Sequence, residues 1–314
     1  MQTIAILNNK GGVGKSALTV FLADFLSTHH HQRVLVVDLD PQHSSSLAIL
    51  GRDRVTRHLK NSKKHSLPRL MWESRDVSME AEVLKAGIAS RKAIEGKGNY
   101  LFLQQIDVLL GKEEEWPQLD DFIADDEKET GKRNYEHLLK NTFRPLRDDY
   151  DFVLIDFPAK SVGPVTRNGI AAADWWLLPA KPIPTEVDAL AQTKNLVDQT
   201  SKGRRKPMAP LLTILTMHQD RKANTYKEAR REFLKLASEK RIPDLADSKC
   251  EIAQSIEAIN ALTTTYGKEK TTLKKKYGSP SALYNSMIRI SEEVIDRTAK
   301  ASGGKLRRGR ISLE

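Results

Sequence analysis

The sequence predicts an α/β protein built on a mostly parallel sheet with helices on both faces. Three observations lead there. A glycine-rich turn, Lys10-Gly11-Gly12-Val13-Gly14-Lys15-Ser16, separates a short apolar run (Thr3 to Leu7) from an apolar-periodic one (Ala17 to Leu26), which reads as strand, loop and helix. Two more runs, Arg33 to Asp38 and Asp151 to Asp156, are apolar on both faces, as strands buried in a parallel sheet are. Strand-like and helix-like stretches then alternate along the chain, and crossover connections of that kind cover a sheet on both sides.

The first loop is a phosphate cradle by its chemistry. Glycines let the backbone turn sharply and bring its N–H groups close to phosphate oxygens. The helix that starts near Lys15 adds free N–H groups and a positive dipole end aimed at the same anion. In this pattern Lys15 reaches the β- and γ-phosphates and the Ser16 hydroxyl ligates Mg²⁺. Gly11, Gly12, Val13, Gly14 and Ala17 complete the expected ATP-binding stretch. The loop deviates from the general G-x-x-x-x-G-K-[ST] pattern, with Asn9 at the first glycine position and a second lysine, Lys10, inside the turn.

His29, His30 and His31 sit at the predicted end of the first helix, where partly protonated rings suit its dipole. The next strand ends in Asp38-Leu39-Asp40-Pro41-Gln42, which places Asp38 and Asp40 on one side at the carboxyl edge of the sheet, with Pro41 stopping the strand. Open α/β sheets bind ligands at that edge. Asp156 closes the second apolar run and is the expected Mg²⁺ carboxylate opposite Ser16.

Between these motifs the pattern weakens. Arg52 to Lys64 reads as a surface segment or mobile loop, Glu80 to Ile94 has helical spacing, and Tyr100 to Leu110 could be a strand. The acidic stretch from Glu113 to Glu127 lacks clear periodicity and reads as an exposed insertion. Tyr135 to Leu146 reads as a helix, Ala173 to Pro179 and Leu211 to Met217 as strands, and Asn224 to Leu236 and Ser279 to Asp296 as helices. Adjacent Trp175 and Trp176 point to opposite faces of their strand and so pack under different helix layers. The expected organisation is one domain over 1–300, with a charge-rich, irregular insertion around 51–132, and a basic polar tail over 301–314.

A hydrophobic share of 39% is enough for a sizeable core, and no run approaches the length of a membrane span. The N-terminus enters a strand directly, without the features of a signal peptide. A lone cysteine, Cys250, excludes an intramolecular disulfide and fits a reducing cytoplasm. The net charge of +10 favours polyanion partners.

The loop K-G-G-x-G-K-S, the D-x-D-P-Q run at Asp38 to Gln42 and Asp156-Phe157-Pro158 together resemble the deviant Walker A ATPases of the ParA/MinD type. The resemblance implies a Mg²⁺-dependent ATP hydrolase in which Lys10 is the signature lysine, reaching the ATP of a partner chain in a homodimer. By the same resemblance Asp38 organises the Mg²⁺ shell, Asp40 positions the attacking water, and Pro243 of Arg241-Ile242-Pro243 packs on adenine. His43 departs from the glycine common at that position. The implied job is partition of plasmid or chromosome DNA: a cytoplasmic, nucleoid-associated ATPase that binds DNA non-specifically and is stimulated by a ParB-like centromere-binding protein or cargo adaptor. No helix-turn-helix domain is expected before the loop, and no stable membrane anchor in the tail. The alternatives are a MinD-like membrane-associated ATPase or one positioning a protein cargo. Candidate DNA contacts are Arg221, Lys222, Lys227, Arg230 and Arg231, with Lys274, Lys275 and Lys276 as a second patch.

Overall fold

β1 (Gln2–Ile6) enters the glycine loop and α1 (Lys15–Thr28), and β2 (Val34–Asp38) returns beside it. α2 (Ser44–Leu50), α3 (Arg52–Asn61), α4 (Leu67–Glu73) and α5 (Ala81–Ala86) precede β3 (Ile88–Arg91) and β4 (Ile106–Leu110). α6 (Glu115–Thr130) and α7 (Leu138–Phe143) lead to β5 (Phe152–Asp156), α8 (Pro164–Ala172), β6 (Trp175–Ala180) and α9 (Glu186–Ser201). β7 (Ala209–His218), α10 (Asn224–Ser238) and the short β8 (Ile252–Ala253) follow, and α11 (Ile256–Thr263), α12 (Leu273–Tyr277) and α13 (Ala282–Ala301) close the chain. The structure, a computed structural model, describes residues 1–61, 66–75, 80–91, 106–130, 137–159, 163–202, 204, 206–263, 273–279 and 281–301.

The eight strands form one sheet in the order β3-β4-β2-β5-β1-β6-β7-β8. Every neighbouring pair is parallel except β3 with β4, so the expected mostly parallel sheet is what the chain forms. Strand alternation divides the core. Ile4, Ile6, Val34, Val36, Phe152 and Leu154 pack under α1, α2 and α13. Ala5, Leu7, Leu35, Val37, Val153 and Ile155 face α4 and α6 to α10. Trp176 is buried in the second layer while Trp175 packs against the first, as their opposite faces require.

Register positions the site. Asp38 lies opposite Asp156 on adjacent strands, and Ile6 lies opposite Asp156 on the other side. The loop leaving β1 therefore begins beside both aspartates.

Four expectations are corrected. The basic stretch after Gly51 is a surface helix over Arg52–Asn61 rather than a loop, anchored by buried Val55, with Arg52, Arg54, Arg57 and Lys60 exposed. The helical spacing from Glu80 ends at Ala86, and Ile88–Arg91 forms the antiparallel edge strand, because Gly87 breaks the helix and β4 offers a free edge. The acidic stretch is largely the helix α6, not an irregular insertion. Trp116, Leu119 and Ile123 are buried at i, i+3 and i+7, while Asp121 and Asp125 face solvent. Burial lowers the pKa of His29 and His30, the latter to about 4, against the partial protonation expected for the histidines at the end of α1. The helix over 135–146 begins at Leu138 within the described residues. Residues 100–105, 131–136 and the tail from 302 lie outside them.

Candidate active site

The phosphate loop has the backbone its glycines were expected to allow. Gly12 and Gly14 lie at φ 69° and 84°, in the region that costs an L-side chain about 1–2 kcal/mol. Gly14 caps α1 without any side-chain hydrogen bond, so the first N–H groups of that helix remain available to a ligand. The loop is braced by the adjacent strands β6 and β7. The Thr216 hydroxyl donates to the Val13 carbonyl at 2.6 Å, and the Asn8 carboxamide both donates to Pro179 and accepts from the Lys10 amide.

The two loop lysines have different addresses. Lys15 is buried, and its amine crosses the loop to the Lys10 carbonyl at 2.9 Å. Burial lowers its pKa, while the carboxylates of Asp156, Asp40 and Glu186 pull the other way. Lys10 instead leaves its own cradle. Its amine lies 3.3 Å from the Thr185 hydroxyl and 3.4 Å from Glu186 Oε1 at the start of α9. Glu186 is completely buried, and burial raises its pKa against the pull of Lys10.

Two aspartates share the sheet edge. Asp38 is buried and well partnered: its Oδ2 accepts from the Ser46 amide at 3.1 Å and from the Ser46 hydroxyl at 2.5 Å, and its Oδ1 accepts from the Asp40 amide. Asp156 is equally buried and has no hydrogen-bond partner on either oxygen. Burial and the neighbouring Asp38 push it up to about 7; the Ser16 and Ser45 hydroxyls lean the other way without completing a bond. A buried carboxylate of this kind lacks a cation or a donor. Ser16 opens α1 beside it, so an oxygen-preferring divalent ion held partly by phosphate fits this donor set. Among the described residues no three His, Cys, Asp or Glu side chains gather into a metal-binding group.

Asp40 is half-buried just beyond the strand, and its Oδ1 accepts from the Gln42 amide at 2.9 Å, closing a tight turn. His43 follows with φ 55°, the left-handed conformation that glycine adopts freely. That explains why glycine suits this position. Here the imidazole compensates by reaching the Gly111 carbonyl, 2.5 Å from its Nε2.

The structure brings Lys10, Lys15, Ser16, Asp38, Asp40 and Asp156 together at one edge. Pro243 is not among them. Its carbonyl accepts from the Thr213 hydroxyl at 2.7 Å, three residues back along β7 from the Thr216 that touches the loop, a distance of about 10 Å. The segment at the edge beside Thr216 and His218 is instead Ile252-Ala253.

The basic candidates divide. Lys222, Lys227 and Arg231 are exposed on the α10 side, Lys227 and Arg231 one turn apart on one face. Arg221 and Arg230 turn back to the buried Glu251, at 3.2 and 3.3 Å. Lys274 is exposed, and the Lys275 side chain lies outside the described residues. Lys276 is a correction. It is completely buried, its amine 2.7 Å from Asp24, and cannot face DNA.

Sequence reasoning missed two residues of the edge. A Cβ on Gly12 would lie 3.9 Å from the Lys181 amine, so a third lysine faces the cradle, and Glu186 holds Lys10. Lys181 directly follows the apolar run of β6, and the rule that singled out Asp38 and Asp156 at strand ends would have found it. Glu186 carries no such signal.

Comparison with known proteins agrees with this geometry. Residues 1–209 match the family described as an AAA domain. The chain is 26% identical over 247 residues to the chromosome partitioning protein ParA of Myxococcus xanthus (strain DK1622), covering 77% of this chain and 75% of that protein. McdA of Cyanothece, solved as a complex with ATP, superposes with a TM-score of 0.68 at 19% identity, covering 94% of this chain and 96% of that one. The pNOB8 ParA bound to nonspecific DNA gives 0.67 at 20% identity, covering 95% and 99%. At these identities the two structures bear on the fold.

Proposed function

The chain belongs to the AAA domain family as a ParA-type P-loop ATPase, and from that premise we propose that it is a Mg²⁺-dependent partition ATPase that dimerises on ATP, binds DNA without sequence preference and lets go on hydrolysis. The observation that carries the reading is the separation of the two loop lysines. Lys15 stays in its own cradle, whereas Lys10 lies against Thr185 and Glu186 at the N-terminal end of α9, with its amine part-exposed and able to exchange Glu186 for an anion on another chain.

In this reading the loop amides from Gly11 to Ala17 and the Lys15 amine hold the ATP phosphates. Ser16 and Asp156 hold Mg²⁺, with Asp38 fixing the Asp40 turn beside it. A bound Mg²⁺ supplies charge neutralisation at the phosphates. The half-buried Asp40 is the carboxylate placed to orient water, and Lys10 completes the site of a second copy across a homodimer. Arg221, Lys222, Lys227, Arg230 and Arg231 offer the phosphate contacts, and Lys274 and Lys275 belong to a separate basic segment. The chain is then a single ATPase domain over 1–300 that works in the cytoplasm on nucleoid DNA, with a ParB-like adaptor linking it to plasmid or chromosome cargo. Among the described residues no helix is long and apolar enough to cross a membrane.

DNA co-sedimentation with ATP, with ADP and without nucleotide tests the switch. Binding confined to the ATP condition is expected, and equal binding in all three would leave only a basic surface. Lys10→Ala is expected to keep ATP binding in the monomer while losing the ATP-dependent dimer in light scattering. An unchanged dimer would remove the basis of the reading. Asp40→Ala is expected to retain ATP and DNA but hydrolyse slowly; wild-type turnover with the partner present would assign Asp40 to the turn alone.

A further inference from the structure

Glu251 is the most heavily partnered carboxylate on the β7 side of the sheet. It is buried, yet the Tyr226 hydroxyl donates to Oε2 at 2.5 Å, Arg221 Nε lies 3.2 Å from Oε2, and Arg230 Nε lies 3.3 Å from Oε1. His218 Nε2 stands 4.0 Å away, and burial with the nearby Arg221 charge keeps that ring neutral. Two cations thus pair with one anion, Arg221 from the turn before α10 with 44% of its side chain still exposed and Arg230 from within α10, while Lys227 and Arg231 on that helix lie in solvent. An arginine engaged this way offers little of its charge to a phosphate.

The same carboxylate is joined to the phosphate loop through the end of β7. Thr216 donates to the Val13 carbonyl, and a Cβ on Gly14 would lie 3.6 Å from the Met217 side chain. Met217 has φ 56°, a left-handed backbone that a long side chain adopts only when its surroundings impose it. Thr216 and His218 pair with Ile252 and Ala253, the two residues that follow Glu251. One strand end therefore touches the loop with one residue and carries Glu251 beside the next.

We infer that Glu251 is the positioning residue that sets the strength of the DNA-facing surface, holding Arg221 and Arg230 folded back until a change at the phosphate loop, passed along β7, releases them. The inference rests on the DNA reading above and adds the residue that gates it. Non-specific DNA affinity then depends on the nucleotide because the number of arginines open to phosphate does, as well as on dimerisation.

The test is the salt dependence of binding to a labelled random-sequence duplex, with and without ATP. Each phosphate contact contributes about 0.9 to the log–log slope. Glu251→Gln frees both arginines, so its nucleotide-free slope is expected to steepen by up to about 1.8, with Glu251→Asp intermediate. A folded Glu251→Gln variant, checked by its melting curve, with the wild-type slope would overturn the inference. Should that variant fail to fold, Arg221→Ala decides. It is expected to leave the nucleotide-free slope unchanged and to lower the ATP slope by about 0.9, and a lowered nucleotide-free slope overturns the inference. Wild-type protein that binds no DNA even with ATP would sink the DNA reading instead. Elution from heparin without nucleotide then reads Glu251 alone: later elution of Glu251→Gln supports the hold on the arginines, and unchanged elution refutes it.

Discussion

Asp24 and Asp156 are both completely buried, yet they sit in opposite circumstances. Asp24, in the middle of α1, is supplied by three side chains from two elements: Arg91 Nη2 of β3 and the Lys276 amine of α12, each at 2.7 Å, and the Tyr277 hydroxyl of α12 at 2.6 Å. These cations and donors outweigh burial and hold Asp24 below the usual carboxylate range. Asp156, at the end of β5, has no partner and is pushed up to about 7. A buried charge that is fully partnered fastens elements together, here the first helix to β3 and to α12. One left without a partner marks a place where something else must bind. Burial alone separates neither case, and charge alone led Lys276 to be read as a DNA contact when it is a fastener.

The same substitution at the two sites should act in opposite directions. Asp24→Asn leaves two buried cations without their anion and is expected to destabilise the fold by about 3–5 kcal/mol, read by urea denaturation. A loss under 1 kcal/mol would mean that the cluster is not a fastener. Lys15→Ala is expected to weaken ATP binding by about 3 kcal/mol, roughly a hundredfold, because a buried charged contact to phosphate is lost. Near-normal affinity by calorimetry would show that the cradle binds something other than a triphosphate.

Asp156→Asn should stabilise the nucleotide-free protein and remove the Mg²⁺-dependent part of nucleotide binding. The pH dependence fixes the sign. Asp156 has a folded pKa near 7, above its unfolded value, so the folded state binds the extra proton and stability falls as pH rises from about 4 to 7. The gain from asparagine is therefore expected at pH 8 and absent near pH 4. Asp24 runs the other way: its contribution is present above the ordinary carboxylate range and fades as pH falls through its lowered value. Melting curves of the two asparagine variants across pH 4–8 would show whether they diverge; parallel curves would erase the distinction. The smallest effect belongs to His43→Gly, which trades relief of a left-handed backbone for loss of the contact to Gly111. The two are each worth about 1 kcal/mol, so a net change within about 0.5 kcal/mol is expected, with a larger effect on turnover than on stability if the loop moves.

The helix α6 shows where local pattern stopped being informative. Its large apolar residues are Trp116, Leu119, Phe122 and Ile123 among many carboxylates, and Phe122 is half-exposed, which blurs the periodicity that burial would otherwise print. The edge strand β3 has four residues and takes its direction from β4, so nothing local specifies it.

The sequence by itself determined the alternation of strands and helices, the loop with its two lysines, and the aspartates at the ends of β2 and β5. These follow from period-two and period-3.6 patterning and from backbone demands that only glycine meets without cost. Only the tertiary structure decided which charges meet. Asp24 and Lys276 are 252 residues apart, Glu251 collects arginines from two turns of structure, and Asp156 is left unpaired beside Asp38. A charged side chain in a sequence carries no mark of its partner. Whether it becomes a fastener, a ligand or a solvated surface depends on what the packed strands and helices bring within 3 Å of it, and on how much water they leave there.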